Sequence, residues 1–333
     1  MTFEEPPGNH FGDRLAEAVE RKNSCLVVGY DPDIGQLPPP VLEGLRRDGE
    51  GRPAGQALEA AARAVEGTGA ALFEACAPWA VAVKLQMAYF LALGGPGLEA
   101  ARRLVEQARS FGLLVIADAK PGDIASTAAA YARALLGFTP LPGGMEVRVL
   151  GADACTFNPY LGGDSAVPFL DLADRVGKGI FALVHTSNPG AQDLQQLVLK
   201  DGRTVAEAVA DMVLSWAAPR RGSSGYSSVG AVVGATYPDA AARLRRRLPG
   251  VWLLLPGVGA QGASPEELSP AFDRDGLGAV VSVSRSILGA WRQDGGGGPA
   301  PDWTAAAAAA AKRLAGALNR ARGRVAAAQA QGS

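Results

Sequence analysis

Eight short hydrophobic runs recur along the chain, separated by stretches of helical composition or spacing. The runs cover residues 25–30, 80–86, 113–120, 152–158, 179–186, 229–236, 251–258 and 279–284, and their wealth of β-branched residues marks them as strands. Their near-continuous hydrophobicity suits parallel strands covered by helices better than half-exposed antiparallel ones. Segments 56–75, 97–110, 124–136, 204–218, 238–247 and 264–272 read as helices, and Ser264-Pro265-Glu266-Glu267 has the form of a helix start. Eight alternating β and α units predict an α/β fold of the (β/α)8 (TIM) barrel type. The structural rival is an open doubly wound sheet. That fold normally carries a glycine fingerprint at its first strand–helix turn, where this chain has Tyr30-Asp31-Pro32-Asp33.

Two stretches stand outside the alternation. Residues 34–55, rich in Pro, Gly and Arg, read as a loop or a short extra helix. We therefore assign a barrel domain to residues 1–292 and a C-terminal extension to 293–333. The extension is a Gly-rich linker followed by an Ala-rich helix over 305–318 and a frayed end. No internal repeat is seen beyond the βα alternation.

Composition narrows the function classes. At 333 residues with 48% apolar content, the chain can bury a large core. A net charge of −1 without a long basic run argues against nucleic acid or an anionic membrane as the main partner. Cys25, Cys76 and Cys155 are odd in number and mostly flanked by apolar residues, so they read as reduced core thiols of a cytoplasmic protein. No apolar stretch reaches transmembrane length, and the acidic N-terminus lacks the pattern of a signal peptide. With His10 and His185 as the two histidines, a histidine-based metal site is not expected.

The most informative segment is Asp118-Ala119-Lys120-Pro121-Gly122-Asp123, which follows the apolar run 113–117. Residues two apart on a strand share a face, so Asp118 and Lys120 project together from its C-terminal end, with Asp123 in the loop beyond. Charges at the tip of an apolar strand cost desolvation unless they pair or do chemistry. The C-terminal ends of barrel strands converge on one pocket. Taken in order they supply Asp31; Lys84 and Gln86; Asp118, Lys120 and Asp123; Asn158; His185, Thr186 and Ser187; Thr236; the loop Pro256–Gly262; and Ser284-Arg285-Ser286. Lys84, Asp118, Lys120 and Asp123 form a candidate row of alternating charges, each holding the next ionised. Gly259, Gln261, Gly262 and Arg285 suit a phosphate, with backbone N–H groups and a guanidinium fork to meet its oxygens.

These residues resemble orotidine 5′-phosphate decarboxylase, and specifically the longer bacterial branch of that family. The resemblance runs from about residue 11 to 288 and is carried by Asp118-x-Lys120-x-x-Asp123 followed by Ser126-Thr127. Supporting it are Gly29-Tyr30-Asp31-Pro32, Val83-Lys84, Asn158-Pro159-Tyr160-Leu161-Gly162, Thr186-Ser187-Asn188-Pro189-Gly190, the loop 256–262 and Ser284-Arg285-Ser286. It implies decarboxylation of orotidine 5′-monophosphate to UMP, without metal or organic cofactor, by a homodimer with shared active sites. Position by position, it implies Lys120 as proton donor, Asp118 beside the substrate carboxylate, and Lys84 paired with Asp118 and reaching the ribose. Asp123 and Thr127 would reach the neighbouring subunit's substrate. Asp31 would bind a ribose hydroxyl, Ser187 the pyrimidine edge, and Gln261 and Arg285 the phosphate. The chain departs from the branch at Pro121 and His185, where arginine is expected, and at Leu85, where proline is. Two alternatives remain: a Mg2+-dependent keto-sugar-phosphate decarboxylase of the same barrel group, and a non-catalytic nucleotide-binding barrel.

Overall fold

The computed structural model describes residues 10–49, 51–259, 263–292 and 302–330. Eight strands form its centre: β1 (Leu26–Tyr30), β2 (Ala82–Gln86), β3 (Leu114–Asp118), β4 (Ala154–Phe157), β5 (Gly179–His185), β6 (Val229–Val233), β7 (Leu253–Pro256) and β8 (Ala279–Val283). Each pairs in parallel with its neighbour, and β1 pairs with β8 through Leu26 and Val281, which closes the barrel. The rival open sheet is thereby excluded. Strand residues are almost all buried, because the barrel interior covers one face and helices the other.

Helices Ala54–Cys76, Gly94–Ser110, Ala125–Leu136, Val205–Ala217 and Pro238–Arg247 fall where the sequence places them. Thr204 opens one of them with a capping box: its hydroxyl accepts from the Glu207 N–H, and the Glu207 carboxylate accepts from the Thr204 N–H. Residues 34–55 hold a 3-10 turn, Ile34–Gln36, and the helix Pro39–Gly49. Segment 264–272 differs from expectation, forming a 3-10 helix over Pro265–Ala271. Its start is capped as predicted, but Pro270 lacks the N–H that an α-helix would need. Further elements are the helices Phe11–Lys22, Met87–Leu91 and Gly163–Val176, and a two-stranded hairpin of Phe138–Pro140 and Glu146–Arg148.

The C-terminal helix is longer than the predicted 305–318, running Trp303–Ala330. It lies against Ala54–Cys76, Pro265–Ala271 and β1, the flank between β8 and β1. Ala307, Ala311, Leu318 and Ala321 on its inner face belong to the same hydrophobic core as the barrel strands. The proposed boundary at residue 292 falls beside the stretch 293–301, which lies outside the described residues.

Helix Phe11–Lys22 covers the N-terminal end of the barrel. Phe11 stacks edge-on against Phe181 of β5 at 5.9 Å, and the Trp252 indole donates to the Gly12 carbonyl at 3.3 Å. A charge cluster sits beside them. Asp153, just ahead of β4 and 2% exposed, accepts from Arg14 at 2.8 Å, Lys178 at 3.2 Å and the Val115 N–H at 3.0 Å. Arg109 stands 3.5 Å away. Burial by itself would raise the Asp153 carboxyl, but Lys178, Arg14 and Arg109 outweigh it and hold the group down at about 2. Its ionised form therefore ties the floor of the barrel together.

Asp153→Asn is expected to lower stability at pH 7 by about 3–5 kcal/mol, because it removes the charge that Arg14 and Lys178 share. The folded carboxyl titrates below its unfolded value, so its contribution is complete above about pH 4 and lost towards about pH 2. Urea midpoints for parent and variant will accordingly converge as pH falls through that window.

Candidate active site

The C-terminal ends of β2, β3 and β4 bring four side chains onto one carboxylate. Asp118 ends β3 opposite Gln86 of β2. Its Oδ2 accepts from Lys84 Nζ at 2.5 Å and from Gln86 Nε2 at 3.1 Å. Its Oδ1 accepts from Lys120 Nζ at 2.5 Å and from the Thr156 hydroxyl at 2.9 Å. Asp31, at the end of β1, lies 4.0 Å from Lys84 Nζ, and its Oδ1 is buried with no hydrogen-bond partner.

Asp118 and Lys84 are 5% and 6% exposed, whereas the Lys120 side chain retains 41% exposure. Burial pushes the Asp118 carboxyl up, but Lys84 and Lys120 more than reverse it and hold it at about 2. A fixed, ionised carboxylate thus stands between one buried ammonium and one that reaches solvent. Lys120 itself has φ of 49°, a left-handed conformation uncommon outside glycine and concentrated at functional sites.

The structure does not bring Asp123 into this row. Its Oδ1 accepts from the adjacent Ile124 N–H at 2.8 Å, and among the described residues it makes no ion pair. The four-membered row expected from sequence is therefore three-membered within one chain, because Asp123 lies past the turn at Lys120, beyond the end of β3. Thr127 is exposed on the first turn of Ala125–Leu136. Ser187 is half-buried beyond β5, close to Gly234 and Gly257.

Gly259 has φ of 128°, and a side chain there would strike Ser286. This places the β7 loop directly against the residue after Arg285. The Arg285 side chain is exposed and among the described residues holds no hydrogen bond or ion pair. Gln261 and Gly262 lie outside the described residues. At the opposite junction Gly29 faces Ser284, whose hydroxyl fills the space a Cβ would take.

The three departures from the family pattern fall in distinct settings. Leu85 is wholly buried. Pro121 offers its carbonyl to the Asn158 N–H at 2.9 Å, so the missing proline N–H leaves that link intact. His185 lies edge-on to Tyr237 at 4.8 Å, and its pKa is lowered by burial and by Arg243. His185 also borders a separate cavity of about 470 Å3, with Gln195, Glu207, Thr236, Tyr237 and Arg243; none of Lys84, Asp118 or Lys120 lines it.

Sequence reading did not assign Thr156 to the site. Its signal is faint: one hydroxyl in the buried run Ala154-Cys155-Thr156-Phe157, on the same strand face as Asn158. Gln86 stood among the polar strand ends without a role.

A closed (β/α)8 barrel with a lysine–aspartate–lysine row at its mouth, buried at Lys84 and Asp118 and open at Lys120, is the class that fold and site define. Within that class, residues 69–293 match the orotidine 5′-phosphate decarboxylase / HUMPS family. The chain is 39% identical over 284 residues to the orotidine 5′-phosphate decarboxylase of Rhodopirellula baltica, covering 85% of this chain and 90% of that protein. It is 42% identical over 278 residues to the protein of the same name from Deinococcus radiodurans, covering 83% and 88%. The solved structure of Leishmania donovani OMP decarboxylase matches with a TM-score of 0.69 at 33% identity, covering 94% of this chain and 99% of that one. This chain belongs to the orotidine 5′-phosphate decarboxylase family.

Replacing Lys84 by methionine, of similar length, keeps Asp118 buried but removes its strongest counter-charge. The Asp118 carboxyl is expected to titrate well above its value of about 2. A 13C NMR pH titration of that side chain checks this, and an unchanged midpoint would show that Lys84 does not hold the carboxylate ionised.

Proposed function

We propose that this protein decarboxylates orotidine 5′-monophosphate to UMP, the last step of de novo pyrimidine synthesis, without a cofactor. The observation that carries the reading is the Asp118 carboxylate held between Lys84 and Lys120 at the barrel mouth.

Breaking the bond from C6 to the carboxylate releases CO2 and leaves an electron pair on C6, which the pyrimidine ring stabilises poorly. In our reading Asp118 stands beside the substrate carboxylate, and the repulsion between the two anions fades as CO2 departs. The Lys120 ammonium stabilises the growing charge and gives its proton to C6, regaining one from solvent after product release. Lys84 keeps Asp118 ionised and reaches the ribose with Asp31. Ser187 meets the pyrimidine edge, and Gly259, Gln261, Gly262 and Arg285 take the phosphate. That remote grip supplies binding energy for enclosing the charges. Neither rival explains the row as well: a pure nucleotide binder gains nothing from a carboxylate facing an anionic ligand.

The active unit in this reading is a homodimer, with Asp123 and Thr127 completing the partner's site. Exposed apolar side chains support it. Ile124, Tyr131, Tyr160 and Leu161 are exposed on helix Ala125–Leu136 and on the two loops joined by the Asn158–Pro121 backbone bond, the same stretch that carries Asp123 and Thr127, a concentration suited to burial against a second copy. Three buried free thiols agree with a reducing compartment, and we place the protein in the cytoplasm. Among the described residues no helix is long and apolar enough to cross a membrane.

Purified protein is expected to consume orotidine 5′-monophosphate, followed by its absorbance, at the same rate with and without EDTA. A keto-sugar-phosphate decarboxylase would spare this substrate and stop with the chelator. Lys120→Ala will abolish turnover yet retain UMP binding; equal loss of both would make Lys120 structural. In a separate experiment, inactive Lys120→Ala and Asp123→Ala proteins are mixed. Hybrid dimers carry one site with both residues intact, so partial activity will return; no recovery after confirmed subunit exchange would argue against shared sites.

A further inference from the structure

We propose that Thr156 is a positioning residue for the proton donor. Its single hydroxyl ties the left-handed turn at Lys120 to the Asp118 carboxylate, and so fixes where the Lys120 ammonium stands. The inference rests on the reading of Lys120 given above and adds a residue from a different strand to the machinery.

The geometry begins with the end of the β3–β4 ladder. The two strands pair at Ile116 with Ala154 and at Ala117 with Cys155, and the regular register stops there. Beyond that point the β3 backbone turns: the Ala119 N–H bonds to the Ala117 carbonyl at 3.1 Å, and Lys120 adopts φ of 49°. A strand that leaves its ladder must find other partners for its N–H groups. Thr156, next along β4, provides one, since the Lys120 N–H donates to its Oγ1 at 3.0 Å. One link further, the Asn158 N–H donates to the Pro121 carbonyl at 2.9 Å. A side chain has taken the place of a ladder bond, and the turn stays fastened to β4.

The direction of each bond at the hydroxyl is forced. An amide N–H only donates, so Oγ1 must accept from Lys120. A carboxylate only accepts, so the one hydroxyl proton goes to Asp118 Oδ1 at 2.9 Å. That same oxygen accepts from Lys120 Nζ at 2.5 Å. Backbone, hydroxyl, carboxylate and ammonium therefore close a ring that begins and ends on Lys120. Two features keep it stiff: Thr156 is 1% exposed, and its β-branched side chain has few rotamers available. Serine in its place keeps the hydroxyl with a looser χ1, whereas valine keeps the shape and deletes both bonds.

The test compares Thr156→Val and Thr156→Ser with the parent. For valine, kcat on orotidine 5′-monophosphate is expected to fall about 10–100-fold, the scale of a misplaced reacting group. The Kd for UMP, by calorimetry, stays within about threefold, because UMP has no C6 carboxylate for Asp118 and Lys120 to act on. Hydrogen exchange at the Lys120 amide accelerates at least about tenfold relative to the β3 amides, since the bond protecting it is gone. Serine restores both readouts to near the parent. Parent-like kcat in the valine variant, or equal loss of kcat and UMP affinity, would overturn the assignment, as would an unchanged Lys120 amide. If valine impairs folding, Thr156→Cys, with its weaker donor and acceptor, gives the same comparison with smaller effects. Failure of the underlying reading shows differently, as an unaltered protein that does not consume the substrate, and amide exchange then decides by itself whether Thr156 holds the turn.

Discussion

A carboxylate with almost no exposure can stay ionised only if its surroundings replace the water it has lost. Asp118 meets that condition through four donors from three strands, two on each oxygen. The site thus depends on strand register. Gln86 sits opposite Asp118 and Lys84 opposite Ile116, so both β2 donors share the face that Asp118 uses. A slip of one residue between β2 and β3 would turn those side chains to the other face and strand the anion. Barrel closure is in this sense part of the site's electrostatics.

The two ends of the barrel apply one device to different purposes. At the floor, Asp153 is ringed by Arg14, Lys178, Arg109 and a backbone N–H, with Asp153 and Lys178 both sealed from solvent. At the mouth, Asp118 has one sealed ammonium and one that is exposed. Both carboxyls are held at about 2 after burial is overcome by neighbouring cations. The difference lies in access. A closed cluster can only tie structure together, whereas the open side at Lys120 leaves a charged group facing space that a nucleotide can enter.

The strands and most barrel helices were legible because buried parallel strands are continuous apolar runs and their covering helices carry a 3.6-residue period. Lys84, Asp118 and Lys120 were legible because charges at strand tips have few structural uses. Other elements carried weaker signals. Pro168 sits inside the helix Gly163–Val176, where a proline argues against a helix, and Pro270 turns a predicted α-helix into a 3-10 one. The hairpin 138–148 has strands of three residues, too short for alternation to register. Asp123 sits two residues before a helix and past a left-handed turn that no local pattern announces. Thr156 escaped for a related reason: what it does depends on where β3 leaves its neighbour, and pairing between strands about 40 residues apart is not written in either segment.

The ring's seam lies between the first and last strands, where Leu26 meets Val281, and Trp303–Ala330 lies along that flank. During synthesis, β1 leaves the ribosome long before β8 exists, and the helix over their junction follows β8. The half-built barrel therefore waits with one raw margin of β1 uncovered, a slow, long-range closure that invites pairing with the wrong partner. The stage of synthesis most open to mispairing is therefore the interval before β8 and its covering helix emerge.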